Sequence, residues 1–164
     1  MLVSADILRT HIAYSGWATS RLLTALADLS PEELTRDFQT ADRSPLGTMV
    51  HIYRAELLWH ARFLQQPAPE LPPAGLPLSQ LTTGVPELQH RMEQWAASLT
   101  DESAQQDLAY RDMRGNPWTQ PIWQLTLHVV NHATHHRGQV SGFLRSLGRT
   151  PPALDLVAYY RQLL

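Results

Sequence analysis

Leu125-Thr126-Leu127-His128-Val129-Val130-Asn131-His132-Ala133-Thr134-His135-His136-Arg137-Gly138-Gln139-Val140 carries helical periodicity through a cluster of four imidazoles. Each residue of an α-helix turns about 100° from the last, so residues four apart differ by about 40° and stack one turn apart. With Leu125 as origin, Val129, Val140, Phe143 and Leu147 fall within about 60° and define an apolar stripe. His132 and His136 come out at about −20° and +20°, in the centre of that stripe. His128 and His135 lie near about −60° and −80°, on its flank. One inward histidine is usually a hydrogen-bonded core residue. Two at i and i+4 among Leu and Val are different, because an unpaired polar group there costs roughly 2–7 kcal/mol. Neutral imidazole is the commonest protein metal ligand, so the pair reads as two ligands of one ion.

Working outward, this helix is expected to begin near Pro121 and to end at Gly148, with Pro151 and Pro152 breaking the chain beyond it. Ser4 and Asp6 are start signals for a first helix running to about Leu29, where Ser30-Pro31 ends it. Residues 31–43 read as a connector with one short turn. Ser44-Pro45 then caps a second helix, from Pro45 to about Gln65, that is apolar around much of its circumference. Prolines at 67, 69, 72, 73 and 77 make the next segment a long surface crossover. A third helix is expected from Val85 or Pro86 to about Leu99, with Leu88, Met92 and Trp95 inward. Gly115-Asn116-Pro117 predicts a turn or short hairpin within Leu108–Gln120, and Asp155 caps a short last helix through Tyr160. Four long helices and one long connection describe an all-α four-helix bundle with a crossover, in a single domain spanning residues 1–164.

The totals narrow the function. A formal charge of −2 and a pI near 6.4 give no electrostatic case for nucleic acid or an anionic membrane. All 13 basic residues are Arg, which reads as a genome-composition bias, although Arg also suits interfaces better than Lys. Without Cys there can be no disulfide, thiolate ligand or Cys nucleophile, so a metal must be held by His, carboxylate and water. With no leader-like N-terminus and no apolar run of about 20 residues, the expected location is the cytoplasm.

Two ligands do not complete a site, since a catalytic zinc-like ion takes about three protein groups plus water. His51, near the start of the second helix, is the natural third, although that helix is so apolar that its inward face is ambiguous. His60 lies nine residues on, about 180° round, and cannot share a site with His51. His11 reads as a boundary histidine and His90 as surface. Glu56, about 140° from His51, is not a co-ligand from the same face; it either orients a ligand from another helix or, the favoured reading, pairs with an Arg. Asn131 and His128 are candidates for supporting the ligands, and Arg137, about 120° from Leu125, is expected to meet a neighbouring helix or a second subunit. Trp17, Tyr53, Trp59, Trp118 and Trp123 are core or interface by default.

Several motifs together resemble the DinB-like family of metal-binding four-helix proteins. They are Asn131-His132, His136-Arg137-Gly138-Gln139 and Phe143-Leu144-Arg145-Ser146-Leu147-Gly148 in one helix, and Leu46-Gly47-Thr48-Met49-Val50-His51-Ile52 with Glu56 and Trp59 in another. Tyr14-Ser15-Gly16-Trp17-Ala18 and the tail Thr150-Pro151-Pro152 with Asp155 and Tyr159 complete the match over nearly the whole chain. The resemblance implies an up-down-down-up bundle, commonly a homodimer, with a divalent metal on His51, His132 and His136. Better-understood relatives use the metal to activate a low-molecular-weight thiol for transfer to, or isomerisation of, an electrophile.

The expected function is therefore a metal-dependent transferase or hydrolase, in which a thiol or water attacks a small-molecule substrate. Zinc, nickel, iron and manganese all suit three His and water. Metal coordination brings the pKa of water towards about 7 and lowers that of a thiol likewise. The alternative is a non-catalytic bundle whose ion ties two helices together, and a metal-free interaction module is a third possibility. The homodimer expectation rests on the resemblance and on the apolar girdle of the second helix.

Overall fold

The structure is a computed structural model that describes residues 3–164. Four long helices form the bundle: α1 (Ala5–Leu26), α3 (Pro45–Phe63), α4 (Leu78–Ser98) and α6 (Ile122–Ser146). Short helices α2 (Pro31–Thr35) and α5 (Asp101–Gln105) lie in the connections, α7 (Leu156–Arg161) follows the last long helix, and β1 (Asp107–Arg111) pairs antiparallel with β2 (Pro117–Pro121). The local signals act where the sequence puts them. The Ser4 hydroxyl accepts from the Ile7 amide, and that of Ser44 from the Gly47 amide at 3.0 Å with Pro45 leading α3. Gly148 takes φ +75° just past α6, where the Arg149 amide reaches back to the Leu144 carbonyl at 2.8 Å, the geometry that closes a helix C-terminus. Gly115, at φ +87°, turns the hairpin.

One boundary differs from expectation. The third long helix starts at Leu78, not Val85 or Pro86, and carries Pro86 in its interior. Proline leaves the carbonyl four residues earlier without its helical partner. Here Pro86 and Thr82 are exposed, so water can serve that carbonyl, while Leu81, Val85 and Leu88 anchor the opposite face.

The core divides into two apolar layers along the bundle. One gathers Leu8 and Ile12 of α1, Trp59 and Phe63 of α3, Leu88 and Trp95 of α4, and Leu125 and Val129 of α6. The other gathers Leu22 and Leu26, Met49 and Ile52, Leu81 and Val85, and Val140 and Leu144 from the same four helices. Residue numbers rise from the first layer to the second in α1 and α6 and fall in α3 and α4, so the topology is up-down-down-up. α3 and α4 are thus parallel neighbours, and residues 64–77 must return along the bundle. A helix of 19 residues is about 28 Å long at about 1.5 Å per residue, well within the reach of an extended crossover of that length. The apolar girdle of α3 is covered by α6 and α4 within the same chain. No helix among the described residues is long and apolar enough to cross a membrane.

A polar layer separates the two apolar ones. Arg137 is only 1% exposed. Its Nη1 donates to the Ser15 carbonyl (3.2 Å), the Ser15 hydroxyl (2.9 Å) and the Thr19 hydroxyl (3.2 Å), and its Nη2 donates to the Thr134 hydroxyl at 2.8 Å. The buried stripe of α6 therefore includes Thr126, Val130, Ala133, Arg137 and Leu144, centred roughly 80–100° round from the Leu125 origin. His132 and His136 lie at its edge, half-buried, rather than at its centre. A guanidinium with four donor contacts replaces apolar packing on the side the hydrophobic pattern leaves unclaimed.

Glu56 on α3 is buried in the same layer and feels the charge of Arg137, although no cation comes within 4.0 Å of it among the described residues. Burial pushes its carboxyl up from 4.5 to about 7, with Arg137 acting in the opposite direction. A carboxyl whose folded pKa is raised contributes fully below its unfolded pKa, and that contribution is lost as pH climbs through the folded value. The stability of the protein relative to Glu56→Gln should therefore fall by on the order of 1–3 kcal/mol between pH 4.5 and 7.5. Urea unfolding of both proteins across that range measures it, and a flat difference would contradict the burial argument.

Candidate metal centre

α3 and α6 pack against each other, and His51 in the second turn of α3 faces His132 and His136 of α6 across that contact. The Nε2 atoms of His51 and His132 lie 3.1 Å apart. His136 completes the group, with one ligand atom of each histidine within 4.8 Å of every other. Two nitrogens about 2.0–2.1 Å from one tetrahedral ion are roughly 3.3 Å apart, so the His51–His132 spacing fits a shared ion. The three residues singled out in the sequence are thus brought together, and they could hold a metal. Burial is the main cause lowering the pKa of His51, and it pushes His132 down to about 4 with help from the neighbouring imidazoles. Both rings are consequently neutral at pH 7, the form that donates a lone pair.

The remaining histidines stay out of this cluster. His60 is buried on the far side of α3, where Arg91 influences it. His11 bonds the Ile7 carbonyl of its own helix and His90 pairs with Gln94 on the surface. His128 packs edge-on to Trp59 with ring centres 5.4 Å apart, and 6.0 Å from His132. Asn131 and His135 are exposed. Glu56 faces the Arg137 layer, not the imidazoles.

The cluster opens onto a cleft of about 950 Å³, into which His51, His132 and His128 project. Its floor is the α3 stripe of His51, Arg54, Leu58, Trp59 and Arg62. Leu71 of the crossover and Tyr110, Asp112 and Met113 of the hairpin form its rim. A volume of this size accommodates a small molecule.

The structure adds one residue that the sequence reading missed. Asp42 precedes the α3 cap, and its carboxylate oxygens lie 3.4 Å from His51 Nδ1 and 3.6 Å from His136 Nδ1. Gln139 Oε1 accepts from His136 Nδ1 at 2.8 Å. Carboxylate and amide partners on the outer nitrogens turn the Nε2 lone pairs towards a common point, as second contacts do around bound metals. The loop that brings Asp42 there is held in place at several points. Phe38 stacks on Phe143 at 4.6 Å, the Phe38 amide donates to the Arg43 carbonyl at 2.7 Å, and Gln39 and Arg43 take φ +59° and +63°. Such left-handed residues cost roughly 1–2 kcal/mol each, so the surrounding contacts must impose them. Gly47 makes the approach possible: a Cβ there would sit 2.2 Å from the Asp42 carbonyl oxygen. Gly47→Ala should cost about 1–3 kcal/mol in urea unfolding. It should also shift the ring-nitrogen NMR signals of His51 and His136 while leaving those of His90 unchanged.

The DinB family matches across residues 1–162. Protein DinB of Bacillus subtilis (strain 168) is 23% identical over 153 residues, covering 89% of this chain and 89% of its own length. The crystal structure of a DinB-like protein from Bacillus cereus ATCC 10987 superposes with a TM-score of 0.73 at 19% identity, covering 93% of this chain and 99% of that one. That structural likeness extends through the α-helical bundle. By its sequence match over residues 1–162, this chain belongs to the DinB family.

Proposed function

We propose that the chain is a divalent-metal protein with His51, His132 and His136 as ligands, and that the site is catalytic. The carrying observation is the position of the three clustered imidazoles, two of which, His51 and His132, line an open cleft. An ion that only tied α3 to α6 would need no cleft. Bound there, the metal would supply Lewis acidity, giving a thiol or water nucleophilic character at neutral pH. The chain's own residues do the rest. Asp42 and Gln139 hold the outer imidazole nitrogens. Leu58, Trp59 and Tyr110 exclude water from part of the cleft and receive the apolar portion of an electrophile. The attack is nucleophilic addition or displacement on that small electrophile, a transferase reaction with a thiol and a hydrolase reaction with water. A second copy of the chain as partner, and action in the cytoplasm, belong to this reading.

Three measurements test it. Untagged protein should carry close to one equivalent of zinc or another divalent ion after reconstitution, and His51→Ala, His132→Ala and His136→Ala should each lose it. Asp42→Asn should keep the ligands but weaken zinc affinity about 10–100-fold, read by competition with a chromophoric chelator. Cysteine with 1-chloro-2,4-dinitrobenzene, and p-nitrophenyl acetate for the water route, then probe turnover. A protein that binds no metal, or that turns over a probe equally well without it, would overturn the proposal.

A further inference from the structure

Three arginines and three aspartates line the cleft, and five of these six charges are engaged. Arg43 lies 3.4 Å from Asp37. Asp42 faces His51 and His136. Asp112 is consumed by the hairpin, accepting from the Arg114 and Asn116 amides, the Asn116 side chain and Trp118 Nε1. Arg62 donates to the Arg111 carbonyl at 2.7 Å and lies 4.5 Å over the Trp59 ring. Arg54 is the exception. Among the described residues no hydrogen bond and no ion pair engages it, yet it is half-buried, lines the cleft and acts electrostatically on His51.

Its placement on α3 adds a distance constraint. Arg54 follows His51 by three residues, about 4.5 Å along the axis and on the same face. Leu58 and Trp59 follow one turn later, with Tyr110 and Met113 opposite on the hairpin. The cleft thus runs from imidazoles to a free guanidinium to an apolar wall. A guanidinium fork matches a carboxylate with two parallel hydrogen bonds. The aspartates at 37, 42 and 112 disfavour a dianion such as a phosphate monoester.

We infer that the cleft is a binding site for small carboxylic acids with an apolar or aromatic body. Arg54 anchors the carboxylate, the body lies along Leu58, Trp59 and Tyr110, and the reacting atom sits within a few bonds of the acid, beside His51 and His132. The position of the reacting end rests on the metal-site proposal; the acid anchor does not. Arg54 therefore determines specificity, and replacing it removes the preference for acids while all three imidazoles remain in place.

Calorimetric titration with 3-phenylpropionate and its neutral counterpart 3-phenylpropanamide tests the inference on untagged protein, zinc-loaded and chelator-stripped, with zinc content measured in every sample. The acid should bind about tenfold or more tightly than the amide in both forms, as expected for charge-assisted hydrogen bonds to one guanidinium. Arg54→Gln should reduce the preference to less than about threefold while leaving amide affinity and zinc content unchanged. Arg54→Lys should retain part of it. A preference that survives Arg54→Gln, one that exists only in the zinc-loaded form, or the failure of both probes to bind would overturn the assignment. A protein that binds no zinc but keeps an Arg54-dependent preference would defeat the metal proposal and leave the acid site standing.

Discussion

A guanidinium buried among four apolar helices must find its hydrogen bonds inside the protein; both Nη atoms of Arg137 find them, while its Nε has no partner among the described residues. A buried unpaired charge would cost several kcal/mol, so Ser15 and Thr19 of α1 and Thr134 of α6 are fixed opposite its donors. That requirement sets the rotation of α6. With Arg137 turned to α1, His136 and His132, about 100° and 140° back round the wheel, are carried to the α3 side. The polar layer thus does more than interrupt the core. It orients the helix that carries two of the three imidazoles.

The third imidazole and its support come from one short run of chain. Ser44 and Pro45 start α3, His51 follows within two turns, and Gly47 lets the Asp42 carbonyl pass against the helix. Asp42 is therefore delivered by the same cap that positions His51. Strain at Gln39 and Arg43 is opposed by the Phe38–Phe143 stack, which ties this loop to α6. The loop and both histidine-bearing helices form one mechanical unit, so the geometry of the cluster is set by the fold itself.

Much of this was legible in the sequence because it is local. Helical spacing paired His132 with His136, serine caps marked α1 and α3, and Gly148 marked the end of α6. What escaped depends on contacts distant along the chain. The hydrophobic pattern placed the two histidines at the centre of the buried stripe because a charged residue is not counted in it; Arg137 does meet a neighbouring helix as expected, but its full burial depends on partners 122 and 118 residues away. Asp42 lies in a polar connector with no periodicity, where aspartate is ordinary, and its meeting with His51 and His136 follows from left-handed backbone at non-glycine residues. Pro86 made the third helix start too late in the sequence reading, because its exposed side tolerates a carbonyl served by water and the helix runs back to Leu78. Glu56 was assigned to an arginine, and Arg137 is the charge it feels, across more than contact distance.

The rim of the cleft has a different standing from its floor. Leu71 belongs to a proline-rich crossover and Met113 to a hairpin tip, neither in the buried core of the bundle, whereas the imidazoles and their supports stand on helices and a braced loop. Residues in the rim can change in size and polarity without moving the centre beneath them. Such a division separates tolerance to change from position: loops can be edited at the mouth while the helices that set the histidine cluster stay as they are.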